Sequence, residues 1–317
     1  MSDRLLGGDR QPLAGSYRER RREHARTRSI GDRVADAVIH GVLLLILVLT
    51  VVPFYYMLVV SFARYQDVAG GAFYLIPKHI DLASYALIFA DDTIPRAFLV
   101  STVVTVVGTA VSMLVTTSAA YALSKKGLPG RNAIFTYIII TMFFSGGLIP
   151  LYLVMLDLGF IDSYLVMIIP LAVNTFFLIL MKNYFLTIPE SLEESARIDG
   201  ANDILIMFRI VIPIAAPIMA TISLFYAVNF WNDWWFPMLF LQDPDKYPLQ
   251  LLLRKIVIEQ EMANQLAARA SAMFGTHHYR LSVQMATVAI ATLPILLVYP
   301  FVQKYFARGI IIGAIKA

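Results

Sequence analysis

Side chains that could do chemistry are few in this chain of 317 residues, and most lack the company that chemistry needs. Asp91-Asp92 could begin a metal site, but no second carboxylate cluster accompanies the pair, which reads as part of a solvated loop. His277-His278 likewise lacks further ligands at metal-binding spacing. There is no cysteine, which excludes disulfides and thiolate metal sites. No G-x-x-x-x-G-K-[ST] occurs; Gly127-Leu128-Pro129-Gly130 has neither the spacing nor the lysine of a phosphate-cradling loop. The organised charges are those of PESLEESARIDGAN: Glu190, Glu193, Glu194, Arg197 and Asp199, followed by Gly200 and Ala201.

That spacing suits a short helix over about 187–201. Thr187 and Glu190 are placed as a capping box, with Pro189 in the first turn, where its missing N–H costs nothing. Glu190, Glu193 and Glu194 favour the positive end of the helix dipole. Leu192, Ala196 and Ile198 predict a narrow apolar stripe, and Gly200 the left-handed turn that ends the helix. Such a rod, held at both ends by membrane spans, can transmit a push. An ordinary interfacial helix is the other reading of these residues.

The elements that would hold this rod are membrane spans. The chain is 58% hydrophobic and only 15% charged, with mean hydropathy +0.68. A water-soluble domain is about a quarter charged, so these charges are too few to coat a water-facing surface. Apolar runs approach the ~20 residues that cross the hydrocarbon core as a helix. We read six, at about 38–62, 95–123, 133–156, 163–184, 204–230 and 283–305. They are continuously apolar rather than alternating, so helices are expected and not barrel strands. The expectation is an all-α polytopic membrane protein: a basic arm over 1–35, a six-helix domain over 36–317 and an external loop over about 232–282.

Basic residues set the orientation. Arg18, Arg20, Arg21, Arg22, Arg26 and Arg28 mark the arm as cytoplasmic; Lys125, Lys126 and Arg131 mark the loop after the second span. The turn with Asp157 and Asp162 has no basic residue, and the tail carries Lys304, Arg308 and Lys316. Both termini and the Glu194 loop therefore fall inside. The first span is too long for a cleaved signal peptide and reads as an anchor. The arm reads as a topology determinant, with contact to anionic lipid as the competing reading. The net charge of +4 is small and concentrated in that arm, so nucleic acid is a poor partner. The stretch LQLLLRKIVIEQEMANQLAARASAMF reads as an amphipathic helix at the outer surface.

Polar residues inside spans are costly in lipid unless they face a cavity or a partner. Asn174 lies midway along the fourth span; Asn229, Trp231 and Asn232 lie near the outer end of the fifth, and Gln284 opens the last. Amides can bond sugar hydroxyls and indoles can stack on pyranose faces. Helix–helix glue for Asn174 and an interfacial belt for the tryptophans are the competing readings. Pro213, Pro217, Pro294 and Pro300 favour kinks, which serve either alternating access or static shaping of the bundle.

Glu194, Ser195, Ala196, Gly200, Ile210, Ile212 and Pro213 together resemble the EAA-type loop of ABC importer permeases. The departures are Ser for a first Ala and Ile for Leu. FYAVNFWNDWW and VYPFVQKYFARGIIIGAIKA extend the resemblance, from about Ala35 onward, to carbohydrate-uptake permeases of the MalG-like branch. The resemblance implies a type I importer fold in the bacterial cytoplasmic membrane and no enzymatic activity in this chain. It implies a second homologous permease, two ATP-binding subunits that hold ATP and Mg, and an extracytoplasmic sugar-binding protein. It makes Glu190, Glu193, Glu194, Ser195, Ala196, Asp199, Gly200, Ala201 and Pro213 the ATPase-coupling set. A permease for a non-sugar solute and a non-transporting membrane anchor or regulator are the alternatives.

Overall fold

The first apolar run forms one helix, α1, over Ile30–Ser61. At 1.5 Å per residue its 32 residues extend about 48 Å. Leu43, Leu44 and Leu47 are more than half exposed, as are Val38 and Leu49. A helix that is apolar all round, with no polar face, is stable in hydrocarbon rather than water. The computed structural model describes residues 30–64, 67, 75–77, 79–90, 92–258 and 281–297. The chain divides into two units, Met1–Tyr56 and Met57–Ala317. The Arg-rich arm, His277-His278 and the basic tail lie outside the described residues, as does Asp91.

The second unit is built around α3, Thr93–Ser124, which α2 (Ala83–Ala90) precedes. It continues with α4 (Arg131–Phe143), α5 (Leu148–Asp157), α6 (Leu165–Ile168), α7 (Thr175–Phe185) and α8 (Glu190–Ile198). Then come α9 (Asp203–Ile214), α10 (Ala216–Asn232), α11 (Trp235–Phe240), α12 (Leu249–Ile258) and α13 (Leu281–Leu297). α3 touches α7, α10 and α12. Gly108 lets α10 approach: a Cβ there would meet three Phe230 ring atoms at 2.8–2.9 Å. At the centre, Tyr226 is 1% exposed; its hydroxyl bonds Thr116 Oγ1 at 2.7 Å and accepts from the Asn174 N–H at 2.9 Å. A second cluster joins Ile94 and Ala97 of α3 to Trp231, α12 and α13.

α1 and α3 are long and apolar enough to cross a membrane; up to four crossings result if each of two bent pairs is one span. The fold is thus all-α and membrane-associated. Three expected spans are not straight helices. α4 and α5 meet at 115° around Gly147, whose φ of +90° needs a residue without Cβ. The fourth breaks between α6 and α7, where Pro170 cannot continue a helix and Asn174 caps the next one by accepting from the Phe177 N–H. The fifth bends by 88° at Ala215. The last expected span is described only to Leu297.

The expected amphipathic helix after the fifth span is described in part. Its described part, α12, buries Leu249, Leu251, Leu252 and Ile256 within the chain, and its first N–H donates to Ser101 Oγ of α3 at 2.8 Å. Its apolar stripe packs on α3, α11 and α13. The neighbouring connection is fastened by Asp162, which accepts from the Gln242 and Asp243 N–H groups and from Lys246 Nζ at 2.6 Å. The Lys246 hydrogen bond and those two backbone donors bring its carboxyl down to about 2.

Candidate functional site

α8 carries acidic residues in its first turn and Arg197 in its last, an order that suits the helix dipole at both ends. The expected capping box is absent. Thr187 Oγ1 instead donates to the Tyr184 carbonyl at 2.7 Å, closing the preceding helix, and Pro189 stands at the N-cap. Ile198 is 87% exposed, so the expected apolar stripe shrinks to the half-buried Ala196, which packs on the core with Ala201. Gly200 adopts φ +86°, and the Ala201 N–H reaches back to the Ala196 carbonyl at 2.9 Å. That six-to-one bond closes the helix end. Asn202 then accepts from the Leu205 N–H and starts α9.

The three glutamates have different surroundings. Glu193 turns inward to an ion pair with Lys125, whose ammonium also lies 3.8 Å from the centre of the Tyr121 ring. Glu190 meets Lys126 at 2.7 Å in the open, and that hydrogen bond and charge hold its carboxyl below its ordinary value. Glu194 is exposed and has no ion-pair partner among the described residues. Ser195 donates to the Ser191 carbonyl, Asp199 is exposed, and Arg197 pairs with Asp203 at 2.8 Å across the Gly200 turn. A cavity of about 880 Å³ lies between α8 and the 124–129 loop, lined by Tyr121, Lys125, Pro189, Glu193 and Arg197 among others. Pro213 lies exposed just before the 88° bend and just after a π-helical turn, Met207–Val211.

The polar residues expected to line a path are not brought together. Asn174 caps α7 and contacts Tyr226 through its backbone. Trp231 is buried, donates its indole N–H to the Ala291 carbonyl at 3.1 Å and packs edge-on to Phe98, which makes it a core residue rather than a belt or a stacking platform. Gln284 Nε2 donates to the Ile256 carbonyl. Asn229 and Asn232 remain exposed, the latter bonded to Val228.

What the sequence reading missed is a groove of about 620 Å³ between α3 and α10, lined by Thr105, Thr109, Met113, Met219, Ser223 and Ala227 among others. Thr105 Oγ1 and Thr109 Oγ1 are buried atoms with no hydrogen-bond partner. Hydroxyls at i and i+4 facing small residues at 220, 223 and 227 were the available signal. Among the described residues, no three His, Asp or Glu side chains gather as a metal site.

The family model for binding-protein-dependent transport system inner membrane components matches residues 113–312, and the chain belongs to that family. It is a transport permease subunit, not an enzyme. It is 46% identical over 286 residues to the polygalacturonan/rhamnogalacturonan transport system permease protein YtcP of Bacillus subtilis, covering 90% of this chain and 99% of that one. Protein LplC of the same organism is 42% identical over 268 residues, 84% and 90% of the two chains. A crystal structure of a bacterial ABC transporter involved in import of the acidic polysaccharide alginate matches with TM-score 0.82 and 34% identity, over 88% of this chain and 99% of that one.

Proposed function

We propose that the chain is the MalG-like permease of an ATP-driven sugar importer, and that α8 is the helix on which an ATPase subunit docks. The carrying observation is the exposed, unpaired Glu194 on a helix whose other two glutamates are fastened to lysines. That arrangement leaves one carboxylate free for a partner while holding the rod in place. The reading has six spans, the bent pairs and the α6–α7 region each serving as one, with both termini and α8 on the cytoplasmic side. A homologous permease completes the path, two ATPases bind beneath, and a sugar-binding protein delivers from outside. Alternating access then opens and closes the groove between α3 and α10, where the unpaired Thr105 and Thr109 hydroxyls can meet sugar hydroxyls.

The cargo is an oligosaccharide, with acidic oligosaccharides the first to try, because relatives are named for polygalacturonan/rhamnogalacturonan and alginate transport. The test is reconstitution of the co-purified complex with its binding protein in proteoliposomes. ATP-dependent accumulation of oligogalacturonides or alginate oligomers supports the reading. Accumulation of only a non-sugar solute, or recovery of the chain without an ATPase, refutes it.

A further inference from the structure

Two routes lead out of α8. One is the backbone: the Gly200 turn passes into α9 and, beyond the 88° bend, into α10. The other is made of side chains. Lys125, one residue beyond the end of α3, is ion-paired with Glu193, and the two side chains are only 23% and 15% exposed. The Tyr121 ring lies under the same ammonium, and the Tyr121 hydroxyl approaches the same carboxylate at 3.5 Å. Tyr121 itself is buried in the main core, on the last turns of α3. The neighbouring Lys126–Glu190 pair differs: its side chains are 75% and 62% exposed, so water and salt screen it.

α3 and α10 are the two walls of the 620 Å³ groove. A displacement of α8 that reached α10 alone would move one wall against an unmoved neighbour. We propose that Lys125 and Glu193 are a positioning pair that transmits the displacement of α8 to α3, so that both walls of the groove answer to one helix. This rests on the docking role of α8. α3 is suited to carry the movement: it is a single unbroken helix of 32 residues, whose far end joins the cluster of Ile94, Ala97, Trp231 and Leu249.

The test uses the reconstituted transporter with its ATPase subunits, measuring hydrolysis and solute uptake on the same vesicles. Lys125→Met keeps the stem that covers Tyr121 and removes the charge. The expected result is retention of the ATPase subunits, hydrolysis within about twofold of the parent and uptake reduced about five- to tenfold, the range of a transmitted coupling. Exchange of the charges, Lys125→Glu with Glu193→Lys, restores most of the uptake, and Lys125→Arg retains it. Unchanged uptake in Lys125→Met overturns the proposal. So does equal loss of uptake and hydrolysis with loss of the ATPase subunits, since the pair would then only hold the docking surface. Failure of the exchange to recover uptake also overturns it. The docking reading is tested separately by Glu194→Lys: if that variant keeps bound ATPase and normal uptake, the docking role itself fails.

Discussion

Replacing Gly200 with alanine adds a methyl group where nothing lies within 4 Å, so the variant changes backbone preference and nothing else nearby. At φ +86° an L-residue brings its Cβ against its own carbonyl, a cost of about 1–2 kcal/mol. The turn it opposes is held by the Ala201–Ala196 and Gly200–Arg197 backbone bonds at 2.9 and 3.0 Å and by the Arg197–Asp203 pair. A cost of that size lowers the population of the closed turn by a factor of about 5–30. The turn is exposed, so the loss falls on the link between α8 and α9 rather than on folding. Asparagine tolerates the left-handed region, whereas a β-branched side chain fits it worst. Uptake per ATP hydrolysed, measured in proteoliposomes, should therefore fall in the order Gly200, Gly200→Asn, Gly200→Ala, Gly200→Val. Equal coupling in all four, or Asn as damaging as Val, would refute the reasoning, because turn handedness would then not be what links the two helices.

Three further outcomes follow from packing and charge. Gly108→Ala places a Cβ at 2.8 Å from the Phe230 ring and should cost about 1–3 kcal/mol, with Phe230→Leu in the same chain recovering thermal stability in detergent. Tyr226→Phe strands the Asn174 N–H and the Thr116 hydroxyl and should destabilise by about 1–3 kcal/mol, read by the same unfolding assay. Asp233, just beyond α10, holds the Trp235 and Phe236 N–H groups with one oxygen while the other is buried without a partner; burial pushes its carboxyl from 3.8 up to about 6. Because the folded value is the higher one, its contribution is full below pH 3.8 and lost as pH rises through 6. At about 1.4 kcal/mol per unit, the rise corresponds to about 3 kcal/mol at neutral pH. Asp233→Asn keeps the capping acceptor, so it should raise thermal stability at pH 7 and flatten the profile between pH 4 and 6. A pH profile identical to that of the parent would exclude this account of Asp233.

The sequence disclosed α1 and α3 because each is one uninterrupted apolar run, which hydrocarbon alone is enough to make helical. It did not disclose the bend at Gly147, since apolar composition is the same on both sides; the fifth span does bend at Ala215, between the kink-favouring Pro213 and Pro217, but those prolines carry no angle. Pro170 was in plain view, but only Asn174 taking up the cap shows that the helix restarts there. Trp231 was readable as belt or path, and its actual partner, the Ala291 carbonyl, lies sixty residues away. The neighbours of α12 were unreadable for a related reason: an amphipathic stripe announces an apolar neighbour without saying whether it is lipid or another helix. Around α8 the spacing to Gly200 was legible, whereas the division of labour among the three glutamates was not. It depends on Lys125 and Lys126, which approach from the end of α3.

The absence of cysteine allows the central claim to be tested at one atom. Ser191→Cys, three residues from Glu194 on the exposed side of α8 and labelled with a short photocrosslinker in the membrane of cells expressing the whole transporter, reports what that face of α8 touches. The account predicts an adduct with a Walker-type ATPase. An adduct with lipid or an unrelated protein, while the transporter still takes up its solute, would contradict it.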